Sequence, residues 1–164
     1  MIEIVGLADE AQAAGQIHHQ VADSLLDSNG FYQGWRWWRG ADRIVWLPPN
    51  SRVVYKIDCG DGINDENEHD NMVTWRSKGR EWAPPTYIYD MASDFVLAMP
   101  YPPHLLGPTD ELPASIHEER VDDLNRANFR LDEDGMVMLV DAGYPSQGGS
   151  HLASMLRHTA RHQP

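Results

Sequence analysis

The tightest constraint on the fold lies between residues 123 and 143. Phe129-Arg130-Leu131 reads as a short strand, Asp132-Glu133-Asp134-Gly135 as a turn, and Met136-Val137-Met138-Leu139-Val140 as a second, buried strand. A hairpin brings its two open ends together. Asn128 precedes the first strand and Asp141 follows the second, so the spacing predicts that these two residues lie close. Asp123 stands five residues before Asn128, and Asp141 opens a further acidic turn, Asp141-Ala142-Gly143. The segment therefore gathers oxygen-bearing side chains at one end of a stiff element, a set suited to a hard cation and the phosphates it carries.

The 164 residues, 41% apolar and 23% charged, suffice for one domain with a real core or for two small lobes. No run approaches the roughly 20 apolar residues that cross a bilayer, so no membrane partner is expected. Glu3, Asp9 and Glu10 stand where a secretory leader would be basic and then apolar. A single cysteine, Cys59, excludes an internal disulfide framework and fits a reducing, cytoplasmic setting. The formal net charge of −12 argues against general nucleic-acid binding, which needs clustered Lys and Arg. A nucleotide is a different case, because Mg²⁺ brings positive charge with it.

Residues 8–27 have the apolar spacing of a helix, with Asn29-Gly30 as its stop. His18 and His19 within it point about 100° apart, so they read as packed or solvated rather than as a metal pair. Residues 31–40 crowd Phe31, Tyr32, Trp35, Trp37 and Trp38 with Arg36 and Arg39. Such interleaving can bind single-stranded nucleic acid or a purine; packing of a small lobe is the preferred reading. Residues 44–47 and 52–57 form a hairpin around Pro48-Pro49-Asn50-Ser51, and alternation puts Val54 and Lys56 on one face. A helix is expected over 65–78, capped by Asn64 or Asp65, with Glu68, Met72 and Trp75 on a shared face. Strands follow at 86–89 and 95–99, and Pro100-Tyr101-Pro102-Pro103 marks a boundary. A short helix is expected near 115–121 and an amphipathic piece at 151–161. His158 and His162 are four apart there, but without a carboxylate or Cys partner they are not read as a metal site.

Taken in order, these parts resemble the protein-kinase-like superfamily, in a reduced form of the kind found in bacteria and phage. Gly40-Ala41-Asp42-Arg43-Ile44-Val45-Trp46 looks like the phosphate-covering turn and the strand after it. Val53-Val54-Tyr55-Lys56 is similar to the V-A-I-K strand, and Leu97-Ala98-Met99-Pro100-Tyr101 to the hinge. The resemblance implies an α+β fold: a small antiparallel-sheet N-lobe of five strands with one main helix, and a strongly reduced C-lobe carrying the catalytic hairpin. It divides the chain into an N-terminal helical extension (1–30), the N-lobe ending in the hinge (31–101) and the C-lobe (102–164).

The same resemblance implies ATP and Mg²⁺ as cofactors and an ordered set of roles. Lys56 would hold the α- and β-phosphates and pair with Glu68, with Asp70 as a rival. Gly40 would cover phosphates, and the backbone of Leu97 and Met99 would hold adenine. Asp123 would be the catalytic Asp, and Asn128 and Asp141 the metal ligands. Arg126, beside Asp123, would stabilise transferred phosphate. Ala142 replaces the Phe of D-F-G, and Val121-Asp122 stands where the family has His-Arg or His-Gly. Three functions follow: a phosphotransferase with a hydroxyl-bearing protein or small-molecule acceptor; a degenerate, pseudokinase-like module binding nucleotide or a protein partner; or an acidic α+β domain whose Asp and Asn residues only make turns. The truncated lobe and exposed tryptophans leave a homodimer open.

Overall fold

The structure, a computed structural model, describes residues 6–25, 27, 29–40, 42–59, 62–91, 95–119, 121 and 124–141. It is an α+β protein with two helices, a six-stranded antiparallel sheet and a small three-stranded antiparallel sheet. In chain order the elements are α1 (Leu7–Val21), β1 (Asn29–Tyr32), β2 (Trp35–Arg39), β3 (Arg43–Leu47), β4 (Val53–Asp58), α2 (Ile63–Ser77), β5 (Tyr87–Asp90), β6 (Phe95–Pro100), β7 (His104–Leu105), β8 (Phe129–Leu131) and β9 (Val137–Leu139). Short 3₁₀ turns cover Ala22–Ser24, Ala114–Glu118 and Arg126–Asn128. The large sheet runs β1-β2-β3-β4-β6-β5 and the small one β7-β8-β9.

Burial along β4 explains the layering. All six of its residues are buried, which a strand achieves only when both faces are covered. Val53, Tyr55 and Ile57 join one core with Leu7, Ala11, Ala14 and Ile17 of α1. Val54, on the opposite face, joins a second core with Met72 and Trp75 of α2 and with Ile116, Phe129 and Leu139 from the last third of the chain. Lys56 and Asp58 share that second face by alternation. Burying a side chain such as Phe129 there contributes about 1.5–3 kcal/mol.

Several expectations change. Helix α1 ends at Val21 and is a full layer of the first core rather than an extension. Asn29-Gly30 opens β1 instead of stopping a helix, because Gly30 lies opposite Trp37 and the indole occupies the space above it, 3.1 Å from where a Cβ would stand. The large sheet therefore has six strands, not five. A strand at His104–Leu105 and a 3₁₀ turn replace the short helix expected near 115–121. All six tryptophans are buried or half-buried, which removes the exposed-indole argument for a homodimer. His18 is buried with its Nδ1 accepting from Trp46 Nε1 at 3.3 Å, the packed role read for it. Among the described residues no helix is long and apolar enough to cross a membrane. Residues 151–161, with His158 and His162, lie outside the described residues.

Candidate functional site

The junction of β4 and α2 sets the site. Helix α2 is entered through Gly62 in the left-handed region, not through a side-chain cap at Asn64 or Asp65. The Asp58 carboxylate accepts from the Asn64 N–H at 2.9 Å, and the Asp65 carboxylate accepts from the Asp58 N–H at 3.0 Å. This reciprocal clasp serves two of the backbone donors that a strand end and a helix start leave open. It also fixes the register of helix against strand. Lys56 lies two residues before Asp58 on the same face, and Glu68 follows Asp65 by one helical turn, so the two side chains meet.

The Lys56 ammonium donates to Glu68 Oε1 at 2.9 Å, to Glu68 Oε2 at 3.1 Å and to the Val140 carbonyl at 2.6 Å. Asp141 Oδ1 stands 3.8 Å away. Asp70 is exposed on α2, so Glu68 is the partner and the rival falls. The chain thus brings together an early strand, a helix and the far end of the hairpin. The hairpin works as its turn chemistry predicts: the Asn128 carbonyl accepts from Val140 N–H at 2.7 Å and from Asp141 N–H at 3.4 Å.

A second cation, Arg43, had no role assigned from the sequence. It opens β3, just after the Gly40 turn, where the Gly40 N–H donates to the Arg43 carbonyl at 2.8 Å. One guanidinium nitrogen donates to Glu68 Oε2 and stands 3.4 Å from Asp65 Oδ1; the other donates to Asp141 Oδ1 at 2.8 Å. An Arg at a strand start beside a tight turn reads as solvated, and only the β3–β4 pairing of Arg43 with Asp58 carries it to α2. Burial alone would lower its pKa, but Glu68, Asp65 and Asp141 raise it well above its ordinary value. The Asp65 carboxyl is pushed the other way, up to about 8, first by burial and then by Glu68 and Asp58, against the pull of Arg43.

Beyond Lys56 opens a cleft of about 130 Å³, lined by Trp38, Val54, Lys56, Tyr101, Asn128 and Asp141 among others. Trp38 and Tyr101 pack at 5.4 Å between ring centroids, and the Arg130 guanidinium lies 4.3 Å from the Tyr101 ring centre. Lys56, Asn128 and Asp141 meet here as expected. Leu97 and Met99 do not reach it. Strand β6 continues to Pro100, so Leu97 sits inside the sheet opposite Lys56 on one side and Ile88 on the other, and Met99 opposite Val54. The chain leaves the sheet at Tyr101, whose N–H already donates to the Arg52 carbonyl at 2.7 Å, and Pro102 and Pro103 have no N–H. Arg126 points elsewhere as well: it donates to the carbonyls of Asp110, at 2.8 Å, and Gly107. Gly40 stays at the exposed β2–β3 turn, and Asp123 lies outside the described residues.

Among the described residues, no three His, Cys, Asp or Glu side chains converge as a metal-binding group. A metal would therefore rest on Asn128 and Asp141 and take its remaining oxygens from water and ligand, which is how Mg²⁺ is commonly held. Compared with known protein families and with curated proteins, the chain matches none.

Proposed function

We propose that the chain is a minimal kinase-like phosphotransferase, which moves the γ-phosphoryl group of Mg-bound ATP to a hydroxyl of a protein or small-molecule acceptor. One observation carries the reading. A buried lysine is held by a helix carboxylate at 2.9 Å and stands 3.8 Å from Asp141, which shares the open end of a hairpin with Asn128. A lysine whose only task was to fill a core need not border a cleft that Asn128 and Asp141 also line. Structural turn formation alone accounts for Asn128 and Asp141 but leaves the arrival of Lys56 beside Asp141 without a cause.

In this role Glu68 fixes the lysine, and the lysine orients phosphate oxygens as a point charge. Asn128 and Asp141 offer the amide and carboxylate oxygens a hard cation prefers. When bound, Mg²⁺ neutralises charge on the transferring phosphoryl group. Asp123 positions the acceptor hydroxyl. The protein's contribution is placement and preorganised charge. Adenine recognition falls to the Trp38–Tyr101 wall rather than to Leu97 and Met99.

The small cleft favours a second reading, a pseudokinase-like module that binds nucleotide or a partner without turnover. Pockets that enclose drug-sized ligands run to about 300–1,000 Å³, so a whole nucleotide enters a 130 Å³ cleft only if the small sheet moves away from the large one. Thermal melting with ATP, with and without Mg²⁺, tests binding. A ligand at about a hundred times its Kd adds about 2.7 kcal/mol to stability. A Mg²⁺-dependent rise in Tm supports both readings, and release of labelled phosphate or its transfer to an acceptor separates them. No shift with any nucleotide would overturn the phosphotransferase and leave only a module that acts through a protein partner.

A further inference from the structure

Arg43 meets the site through three carboxylates. Its forked guanidinium spans a buried anchor, Glu68 with Asp65, and a half-exposed carboxylate, Asp141. Lys56 needs no help from Asp141, because both oxygens of Glu68 and the Val140 carbonyl already hold it. Arg130, which lines the cleft, and Arg126, next to its lining residue Ala127, are committed elsewhere. Arg130 donates to the carbonyls of Pro102 and Pro103, and Arg126 to those of Asp110 and Gly107. Arg43 is thus the cation seated directly on the carboxylate that would take a metal.

We propose that Arg43 is a resident counter-cation: it denies Asp141 to a bare divalent metal and turns to the phosphates when a metal–nucleotide enters, so that metal uptake requires nucleotide. The inference rests on the reading of Asp141 as a metal ligand. A divalent ion on Asp141 Oδ1 would meet the guanidinium nitrogen that already donates to that oxygen at 2.8 Å, so metal and Arg43 compete for it and repel each other. A phosphate offers the same planar, two-pronged recognition that the Asp141 carboxylate gives, with more charge. The nitrogen on Glu68 serves as the pivot, and the nitrogen on Asp141 is the one exchanged.

Equilibrium dialysis of Mn²⁺ against the full chain, with and without limiting ATP, tests this, with ATP affinity measured by calorimetry. The wild type should take up no Mn²⁺ alone and one per chain with ATP. Arg43→Gln should bind Mn²⁺ without nucleotide at least tenfold more tightly than the wild type and ATP at least tenfold more weakly. Arg43→Lys, which keeps the charge but lacks the fork, should fall between. Asp141→Asn should abolish Mn²⁺ uptake in every background. If Arg43→Gln does not fold, the wild type and Arg43→Lys decide: nucleotide-independent Mn²⁺ uptake by the wild type overturns the proposal. So does Arg43→Gln matching a wild type that binds both ligands, an outcome that leaves the nucleotide reading standing. A wild type that takes neither Mn²⁺ nor ATP overturns that reading and the inference with it.

Discussion

The Lys56 ammonium lies 2.9 Å from Oε1 and 3.1 Å from Oε2 of Glu68, and both side chains are withdrawn from solvent. Because Arg43 donates to the same carboxylate, one buried anion carries two cations. Removing one member of a buried ion pair costs about 3–5 kcal/mol, since the other is left uncompensated. Glu68→Gln strips two cations of their main partner, whereas Lys56→Met leaves Glu68 neutralised by Arg43. Denaturant unfolding should therefore rank Glu68→Gln as the more destabilising change. The reverse order would mean that Arg43 does not sit on Glu68 in solution.

Asp65 gives the stability a pH dependence of unusual sign. Its carboxyl is raised from 3.8 to about 8 in the folded chain, chiefly by burial. A folded-state pKa above the unfolded one means that the native chain binds the proton more tightly. The contribution is whole below about pH 4, declines as pH rises, and is gone above about pH 8. Asp65→Asn keeps an oxygen to accept from the Asp58 N–H and has no proton to lose. The difference between wild type and Asp65→Asn unfolding free energies should thus fall across pH 5–8. A flat difference would show that Arg43 keeps Asp65 ionised throughout.

Much of this site was legible because it depends on short-range rules. Alternation along β4 put Val54 and Lys56 on one face, helical spacing put Glu68 with Met72 and Trp75, and a hairpin joined Asn128 to Asp141. What failed depended on neighbours that local pattern does not report. Resemblance places Leu97 and Met99 in a hinge, but proline is tolerated where its N–H is not needed, and β6 runs on to Pro100. Arg126 lies three residues after Asp123 in sequence, yet its partners are carbonyls 16 and 19 residues away. Arg43 was hidden for the opposite reason: its partners Asp65, Glu68 and Asp141 are 22 to 98 residues distant, beyond any periodicity.

The entry to α2 should be intolerant of side chains. Gly62 has φ +84, and an added Cβ would stand 2.3 Å from Phe95 Cδ2. Gly79, just past the end of the same helix, has φ +77 and open space around it. Both pay for a left-handed conformation on substitution by Ala, about 1 kcal/mol, but only Gly62→Ala adds a clash. Its loss should exceed that of Gly79→Ala by about 1–3 kcal/mol. Because Gly62 leads into the turn bearing Asp65 and Glu68, the same variant should weaken Mg–ATP binding, while Gly79→Ala should leave it unchanged. Equal losses in the two variants would show that α2 can shift its start without disturbing the site.

The turn before the hairpin is held by Asn125. Asn125 Oδ1 accepts from the Ala127 N–H at 3.0 Å, and the Asn125 carbonyl accepts from the Asn128 N–H at 2.9 Å. This turn places Asn128 at the start of the hairpin. On the proposed reading the two aspartates of the motif act apart: Asp141 in metal binding and Asp123 on the acceptor hydroxyl. Asp123→Ala should keep the Mg²⁺-dependent rise in Tm with ATP and lose about 10²–10⁴-fold in phosphoryl transfer, the range over which a positioned acid–base group contributes. Asp141→Asn should lose both. Unchanged turnover in Asp123→Ala would move the acceptor site to another residue, and loss of ATP binding in that variant would make Asp123 part of the nucleotide site instead.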